Sequence, residues 1–337
     1  MSLKLETVAK VIRGQIIESV HFGSIAVVDA EGRLLYGVGD PYMVTYLRSS
    51  AKPFQAIAAV ESGAARAFGF SSSEIAIIAG SHSGEDKHVE TVKSIMDKIG
   101  LGPEHLKCGV QTPIGQSVSE PQPEEKYTVL HHNCSGKHAG MLAMAKFKSL
   151  SLDDYLSPDH PVQKLITETI SDICHYPADK IAIGIDGCSA PVHALPLYNM
   201  AFGFARMVTP NTFPAGKAQA VSTVYMAMMD HPDMVGGTGR FDSLIAETPG
   251  EKIIAKAGAE ALECFALPDR NWGAAVKIID GSRRALFPVT VELLYKLGVR
   301  SRGEEISKFH RPVIENWRKI EVGVIEPGFE LKEVDHE

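Results

Sequence analysis

Residues 8–38 alternate apolar and polar positions about the turn at Glu31-Gly32, and this period of two predicts an antiparallel hairpin preceded by another strand. From Ala51 the spacing becomes helical, and Ala51 to Val60 is rich in helix formers. Pro53 is comfortable only in a first turn, so the helix opens near Ser50 and leaves Ser49 on its approach. The apolar run EIAIIAG at 74–80 fits either a buried strand or a helix segment. Residues 85–99 form a periodic helix that stops at Gly100, with Ser83 as its N-cap unless the polar cluster Ser81-His82-Ser83-Gly84-Glu85 belongs to a site.

Between Cys108 and Tyr127 proline, glycine, glutamine and serine replace the periodicity, which predicts a long loop of the kind used as a lid or binding segment. Further helices are expected over AGMLAMAKF, 160–176, 191–207 and 214–230, with the strand KIAIGI ahead of the last two. Strand patterns return in EKIIAKAG at 251–258, LECFAL and WGAAVKIIDG, where Asp280-Gly281 is a hairpin signal. Helices near 285–298 and 303–310 then cover the sheet, ahead of a mobile acidic tail after Pro327. Strands at both ends around a helical middle of about 85–230 predict an α+β fold, an antiparallel sheet with packed helices. The chain reads as a single catalytic domain over 1–337, and its length also allows two intimately packed lobes.

Composition narrows the function classes. A net charge of −7, without a lysine and arginine cluster, argues against nucleic acid as a partner. No apolar run reaches the roughly 20 residues of a membrane span, and no apolar block marks a secretory signal, so a cytoplasmic protein is expected. The five cysteines are an odd number, widely spaced and without a C-x-x-C pair; each is either a small buried residue or a site ligand.

The candidate chemistry begins at Arg48-Ser49-Ser50-Ala51-Lys52. Residues three apart share a helix face, so the Ser49 hydroxyl and the Lys52 amine can meet, and a neutral lysine can take a serine proton for amide or ester cleavage. The plainer alternative is a helix cap followed by a solvated lysine. A second dense stretch, His131-His132-Asn133-Cys134-Ser135-Gly136-Lys137-His138, crowds reactive side chains onto a helix start. Asp186-Gly187-Cys188 places an acid and a thiol where a buried strand ends. Gly236-Gly237-Thr238-Gly239-Arg240 is either a plain turn or a backbone approach to a ligand, and its spacing matches no phosphate-binding fingerprint. Lys256 stands in an apolar strand as edge protection or as a buried cation.

Taken in order, RSSAKPFQ, GSHSGE, NCSGKHAGML, GIDGCSAP, GGTGRFD and KAGAE resemble the bacterial asparaginase II family of the Rhizobium-like type. The resemblance implies hydrolysis of L-asparagine to aspartate and ammonia, in a fold similar to glutaminases and serine β-lactamases, by a homodimer. By position it implies two serine–lysine pairs, Ser49 with Lys52 and Ser81 with Lys256, and a zinc ion held by Cys134, Lys137 and Cys188 with Asp186 nearby. Crowded amines would then disfavour each other's protonation, and one could act as base while Ser49 or, second, Ser81 forms an acyl-enzyme. A serine being available, zinc is expected to clamp the site or the substrate's polar groups rather than to generate hydroxide. Arg48, Glu85 and Asp186 are by charge the candidates for the substrate's carboxylate and ammonium, and His138 joins them as a substrate contact. Two other readings share these residues: a penicillin-binding or β-lactamase-like acylase, against which the absence of Ser-Asp-Asn and Lys-Thr-Gly strings counts, and a non-catalytic zinc-containing amino-acid sensor.

Overall fold

The computed structural model describes residues 4–114, 126–248, 250–299 and 304–334, so the centre of the expected loop at 108–127 lies outside the described residues. Along the chain the elements are β1 (Glu6–Arg13), β2 (Ile16–Asp29), β3 (Leu34–Val38), β4 (Val44–Tyr46), α1 (Lys52–Glu61), α2 (Ala64–Ala67), α3 (Ser72–Ile78), α4 (Asp86–Lys98), α5 (Ser135–Phe147) and α6 (Pro161–Cys174). There follow β5 (Ala182–Ile185), β6 (Pro191–Pro196), α7 (Leu197–Met207), α8 (Ala215–Asp230), α9 (Pro232–Val235), α10 (Phe241–Ala246), β7 (Ile254–Gly258), β8 (Leu262–Leu267) and β9 (Trp272–Ile278). The last are α11 (Arg283–Lys296), α12 (Glu304–His310), β10 (Val313–Glu315), β11 (Glu321–Pro327) and β12 (Lys332–Glu333). The fold class is α+β, as expected, and the chain divides into two compact units.

One unit comprises residues 1–50, 195–209 and 244–337 and is built on an antiparallel sheet. Its strands run in the order β10-β11-β1-β2-β9-β8-β7, with β3 paired to β2 and β12 to β3. The register sets Lys256 of β7 opposite Cys264 of β8, Cys264 opposite Ala275 of β9, and Ala275 opposite Ala26 of β2, in one cross-strand row. Gly273 lies two residues from Ala275 and therefore on the same face. A Cβ there would fall 2.0 Å from the Ala201 carbonyl oxygen, so the absent side chain is what lets α7 lie against the sheet. The chain around 41–43 satisfies the start of α7, Leu197 N–H donating to Met43 O and Tyr198 N–H to Pro41 O.

The other unit, residues 51–194 and 210–243, is mainly helical, with β5 and β6 as an antiparallel pair. Helix α3 begins in a capping box: Ser71 Oγ accepts Glu74 N–H while the Glu74 carboxylate accepts Ser71 N–H. That cap decides the ambiguous EIAIIAG run for helix. On α5, Gly136 and Gly140 are four apart and face α3: a Cβ at 136 would meet Ile77 O at 2.5 Å, and one at 140 would meet Ile78 Cγ2 at 2.7 Å. The close crossing fixes the start of α5, where Cys134 and Lys137 sit.

Several expectations are corrected. Residues 191–196 are a strand, paired with β5 from Ala182↔Ala194 to Ile185↔Pro191, and only then does α7 begin. The apolar content that suggested one long helix serves both elements, because PVHALP is buried almost throughout. Asp280-Gly281 leads into α11 rather than a hairpin: the Asp280 carboxylate accepts Ser282 N–H and Gly281 turns the chain at φ 73°. The cap of α4 is Glu85, not Ser83. The tail after Pro327 adds β12, with Lys332↔Gly37 and Glu333↔Tyr36 in register.

Two outcomes test this packing. Gly136→Ala should destabilise by about 1–3 kcal/mol despite alanine's better helix propensity, because overpacking against a backbone oxygen outweighs it. Gly216→Ala, on α8 with no atom near its would-be Cβ, should instead be neutral or stabilising, and the two melting temperatures should move apart. A second test concerns buried His193 of β6, whose Nε2 lies 2.9 Å from Thr167 Oγ1 and whose Nδ1 is buried without a partner. Burial, then the Lys137 charge, depresses its pKa to about 4. The unfolded chain takes up a proton near 6.5 and folded His193 only near 4, so its contribution is complete above 6.5 and drains as the pH falls. Urea unfolding should show on the order of 3 kcal/mol lost over that window through this group, and His193→Gln should flatten the slope.

Candidate active site

In the helical unit the site is assembled from the stretch that runs from α1 to just past α3, from the start of α5 and from the turn between β5 and β6. Lys52 opens α1, where Pro53 occupies an early position that needs no backbone donor. Its side chain is 1% exposed, and Nζ donates to Ser81 Oγ at 2.9 Å and to Asn133 O at 2.9 Å. Ser81 follows α3 on an irregular turn held by its own N–H, which donates to Val235 O at 2.7 Å. That N–H is therefore committed and is not a free oxyanion donor.

The second segment is the start of α5. Cys134 and Lys137 are buried there, and Lys137 Nζ lies 2.9 Å from Cys188 Sγ, which the third segment delivers from the turn between β5 and β6. In that turn Ser189 N–H donates to Asp186 O, Asp186 N–H to Ala190 O, and Ser189 takes φ 67°, so the chain doubles back with Cys188 inward. Donation from Cys188 holds the Cys134 thiol well below its usual range, against the cost of burial, and the Lys52 and Lys137 charges add to it. Burial lowers the Lys137 amine, but the Cys134 and Cys188 sulfurs outweigh it and raise it overall. Ser81, Lys52, Cys134, Cys188 and Lys137 thus form one continuous polar chain.

Two thiols and an amine are a donor set that suits zinc once the amine has lost its proton, and all three are buried here, with Lys137 Nζ against Cys188 Sγ. The residues fit the metal that the resemblance implies. Among the described residues no group of three or more His, Cys, Asp or Glu has metal-binding spacing, so Lys137 is essential to the set.

Histidines that carry no role in the sequence reading surround this chain. His132 Nδ1 accepts Cys134 N–H at 3.0 Å, which leaves its Nε2 as the protonated nitrogen. Burial, then Lys52, depresses its pKa to about 4, so it is a neutral N–H donor at the cluster. His82 is held likewise: Nδ1 accepts Gly84 N–H, Nε2 meets Ser135 Oγ at 2.9 Å, and burial keeps it uncharged. His132 was visible in the reactive run, but its tautomer follows from a backbone turn that composition does not reveal. Tyr155, whose hydroxyl lies 2.7 Å from His138 Nδ1, carries no sequence signal at all.

The remaining expected residues divide by unit. Glu85 has both oxygens engaged by Thr238, through N–H and hydroxyl at 2.8 Å each, and Ser83 Oγ donates to Gly236 O, so this acid clamps the glycine-rich loop. Asp186 is half-buried, and its charge reaches Lys137 and His132. His138 is fully buried on α5. In the sheet unit, Arg48 and Ser49 lie in a 3-10 turn, Arg48–Ala51, where Arg48 adopts φ 48°, a conformation costly for a residue with a side chain. Ser50 Oγ donates to the Lys256 carbonyl at 2.7 Å, and a Cβ on Gly258 would lie 2.9 Å from Leu47 O, so the turn is seated on β7 beside Lys256. Lys256 is buried, its Nζ donating to Ala257 O at 2.8 Å. The sequence reading paired Ser81 with Lys256; within the helical unit Ser81 has Lys52 as a hydrogen-bond partner.

Among solved structures the chain is similar to a β-lactamase from Mycobacterium bovis, at 13% identity over 81% of this chain and 94% of that one, with a TM-score of 0.39. It is also similar to a class C β-lactamase from Rhodobacter sphaeroides, at 13% identity over 82% and 94% of the two chains, with a TM-score of 0.40. A third similar structure is that of Mglu, at 14% identity over 82% and 67%, with a TM-score of 0.39. No curated protein matches the sequence. Among the described residues no helix is long and apolar enough to cross a membrane. The family profile of L-asparaginase II matches residues 9–327, nearly the whole length, and the chain belongs to the L-asparaginase II family, whose chemistry is amide hydrolysis.

Proposed function

We propose that this protein is an L-asparagine amidohydrolase that works through a serine–lysine pair and an acyl-enzyme. The observation that carries the reading is the buried 2.9 Å contact between Lys52 Nζ and Ser81 Oγ, within the cluster that also holds Cys134, Lys137 and Cys188. A hydroxyl in such contact can pass its proton to an amine that enters the cycle unprotonated. The oxygen then attacks the carboxamide carbon, the proton leaves with the departing nitrogen as ammonia, and water cleaves the ester to release aspartate. The neutral His132 N–H supplies a donor for the developing negative charge or for the substrate. Asp186 supplies a carboxylate for the α-ammonium group.

Ser49 is the second candidate for acylation, favoured by the strained Arg48 before it and by the Ser50 contact that seats its turn on Lys256. Cys134, Lys137 and Cys188 would hold zinc, which when bound would clamp polar groups of the substrate. The charged form of Lys137 is favoured beside the acidified Cys134 thiol, so a metal ion would displace a proton from the amine rather than enter a neutral pocket. The family's homodimeric assembly and a cytoplasmic location are proposed with the same reading.

Ammonia release from asparagine, with glutamine in parallel, is the direct assay. Lys52→Met should lower kcat by roughly 10²–10⁴ while circular dichroism stays unchanged. Mass spectrometry of Ser49→Ala and Ser81→Ala under turnover identifies the acylated serine, since the variant lacking it shows no adduct. Full turnover in both variants would remove serine catalysis from the proposal. Purified protein should also contain stoichiometric zinc, and a chelator should suppress activity until zinc is returned. Cys188→Ser should lose both metal and response to it.

A further inference from the structure

Residues 80–85, which carry Ser81 between α3 and α4, lie outside helix and strand, so the position of this serine does not come from a backbone ladder. Single bonds hold the stretch instead. On one flank Ser81 N–H donates to Val235 O at 2.7 Å and Ser83 Oγ to Gly236 O at 3.1 Å. On the other, His82 reaches the start of α5, where its Nε2 lies 2.9 Å from Ser135 Oγ. Both His82 and Ser135 are 0% exposed, and the imidazole is stacked on His88 with ring centroids 5.2 Å apart, which fixes its plane.

Neighbouring bonds set the direction of that contact. Gly84 N–H donates to His82 Nδ1 at 3.2 Å, which places the imidazole proton on Nε2. The Ser135 hydroxyl donates to Leu130 O at 2.9 Å, so its oxygen is open to accept. Donation from Nε2–H to Ser135 Oγ is thus the arrangement in which each proton of the chain has an acceptor. Lys52 spans the same two segments, its Nζ 2.9 Å from Ser81 Oγ and 2.9 Å from Asn133 O. An amine that gives an N–H to Asn133 O can meet the serine proton with its lone pair only while Ser81 stays at the right distance from Asn133. The bond between the residue after Ser81 and the second residue after Asn133 sets that distance.

We propose that His82 is a positioning residue for Ser81: its Nε2–H bond to Ser135 pins the turn against α5 and so fixes the gap across which Lys52 takes the serine proton. This rests on the serine–lysine reading above. It adds to that reading a residue that acts through the backbone rather than on the reacting atoms.

The experiment measures kcat and KM for ammonia release from asparagine with the full chain. His82→Asn keeps an acceptor for Gly84 N–H but is too short to reach Ser135, and should lower kcat roughly tenfold to hundredfold with KM within about twofold. His82→Gln returns an N–H near the Nε2 position and should recover most of the rate. Ser135→Ala removes the acceptor while the ring stays in place. It should lose as much as His82→Asn, and the double variant should lose no more than either alone. Full kcat in a folded Ser135→Ala protein would overturn the role given to His82, even where the asparagine variant folds poorly. So would additive losses in the double variant, or a fall in bound zinc that matches the fall in kcat and moves the effect to the thiols. Undiminished turnover in Ser81→Ala would instead overturn the choice of Ser81 in the reading above, and this inference with it.

Discussion

Two lysine side chains in the helical unit, Lys52 and Lys137, lie almost entirely out of water, and a buried charge left unpaired costs several kcal/mol. The fold meets that cost with polar atoms drawn from segments far apart in the chain: Ser81 and Asn133 O for Lys52, Cys188 for Lys137, and Cys134 between them. The arrangement places hydroxyl, amine and thiols in one unbroken contact sequence. A cluster of this kind contributes little to stability compared with an apolar core of equal volume. Its persistence here is a matter of chemistry, since it sets an amine against a serine and two sulfurs against an exchangeable proton.

Rigid elements hold these atoms in place. Lys52 stands at the first turn of a helix whose start Pro53 fixes, and Cys134 and Lys137 stand at the start of another whose depth is set by Gly136 against Ile77 O. Cys188 arrives on a turn that doubles back through Ser189 at positive φ. The neutral histidines around the cluster follow the same logic. His82, His132 and His138 each have one nitrogen committed by a short-range bond, which fixes the tautomer and leaves the other nitrogen as a defined donor. Burial keeps them uncharged, so they add directional N–H groups without adding further cations beside Lys52 and Lys137.

Glu85 shows why charge in a motif is a weak guide to role. GSHSGE and GGTGRFD are two of the strings on which the sequence resemblance rests, and each looked like a place to meet a ligand. Their contact is with each other: Thr238 covers both Glu85 oxygens and Ser83 holds Gly236 O. The pair ties two loops together through these bonds.

Sequence alone determined what depends on neighbours along the chain. Period-two alternation gave the strands of the sheet, helical spacing and a first-turn proline gave α1, and ordered motifs gave the family. It left EIAIIAG open and merged β6 with α7, because an apolar run fits a strand or a helix equally until a cap or a pairing partner is present. Tertiary structure alone decided that Lys52 meets Ser81, which nitrogen of His132 and of His138 carries the proton, and that Tyr155 stands behind His138. Lys52 and Ser81 lie 29 residues apart and His138 and Tyr155 lie 17 apart, and the His132 tautomer turns on a backbone N–H that only the folded turn presents; each depends on buried polar groups having to find partners where the fold puts them, which local spacing does not record.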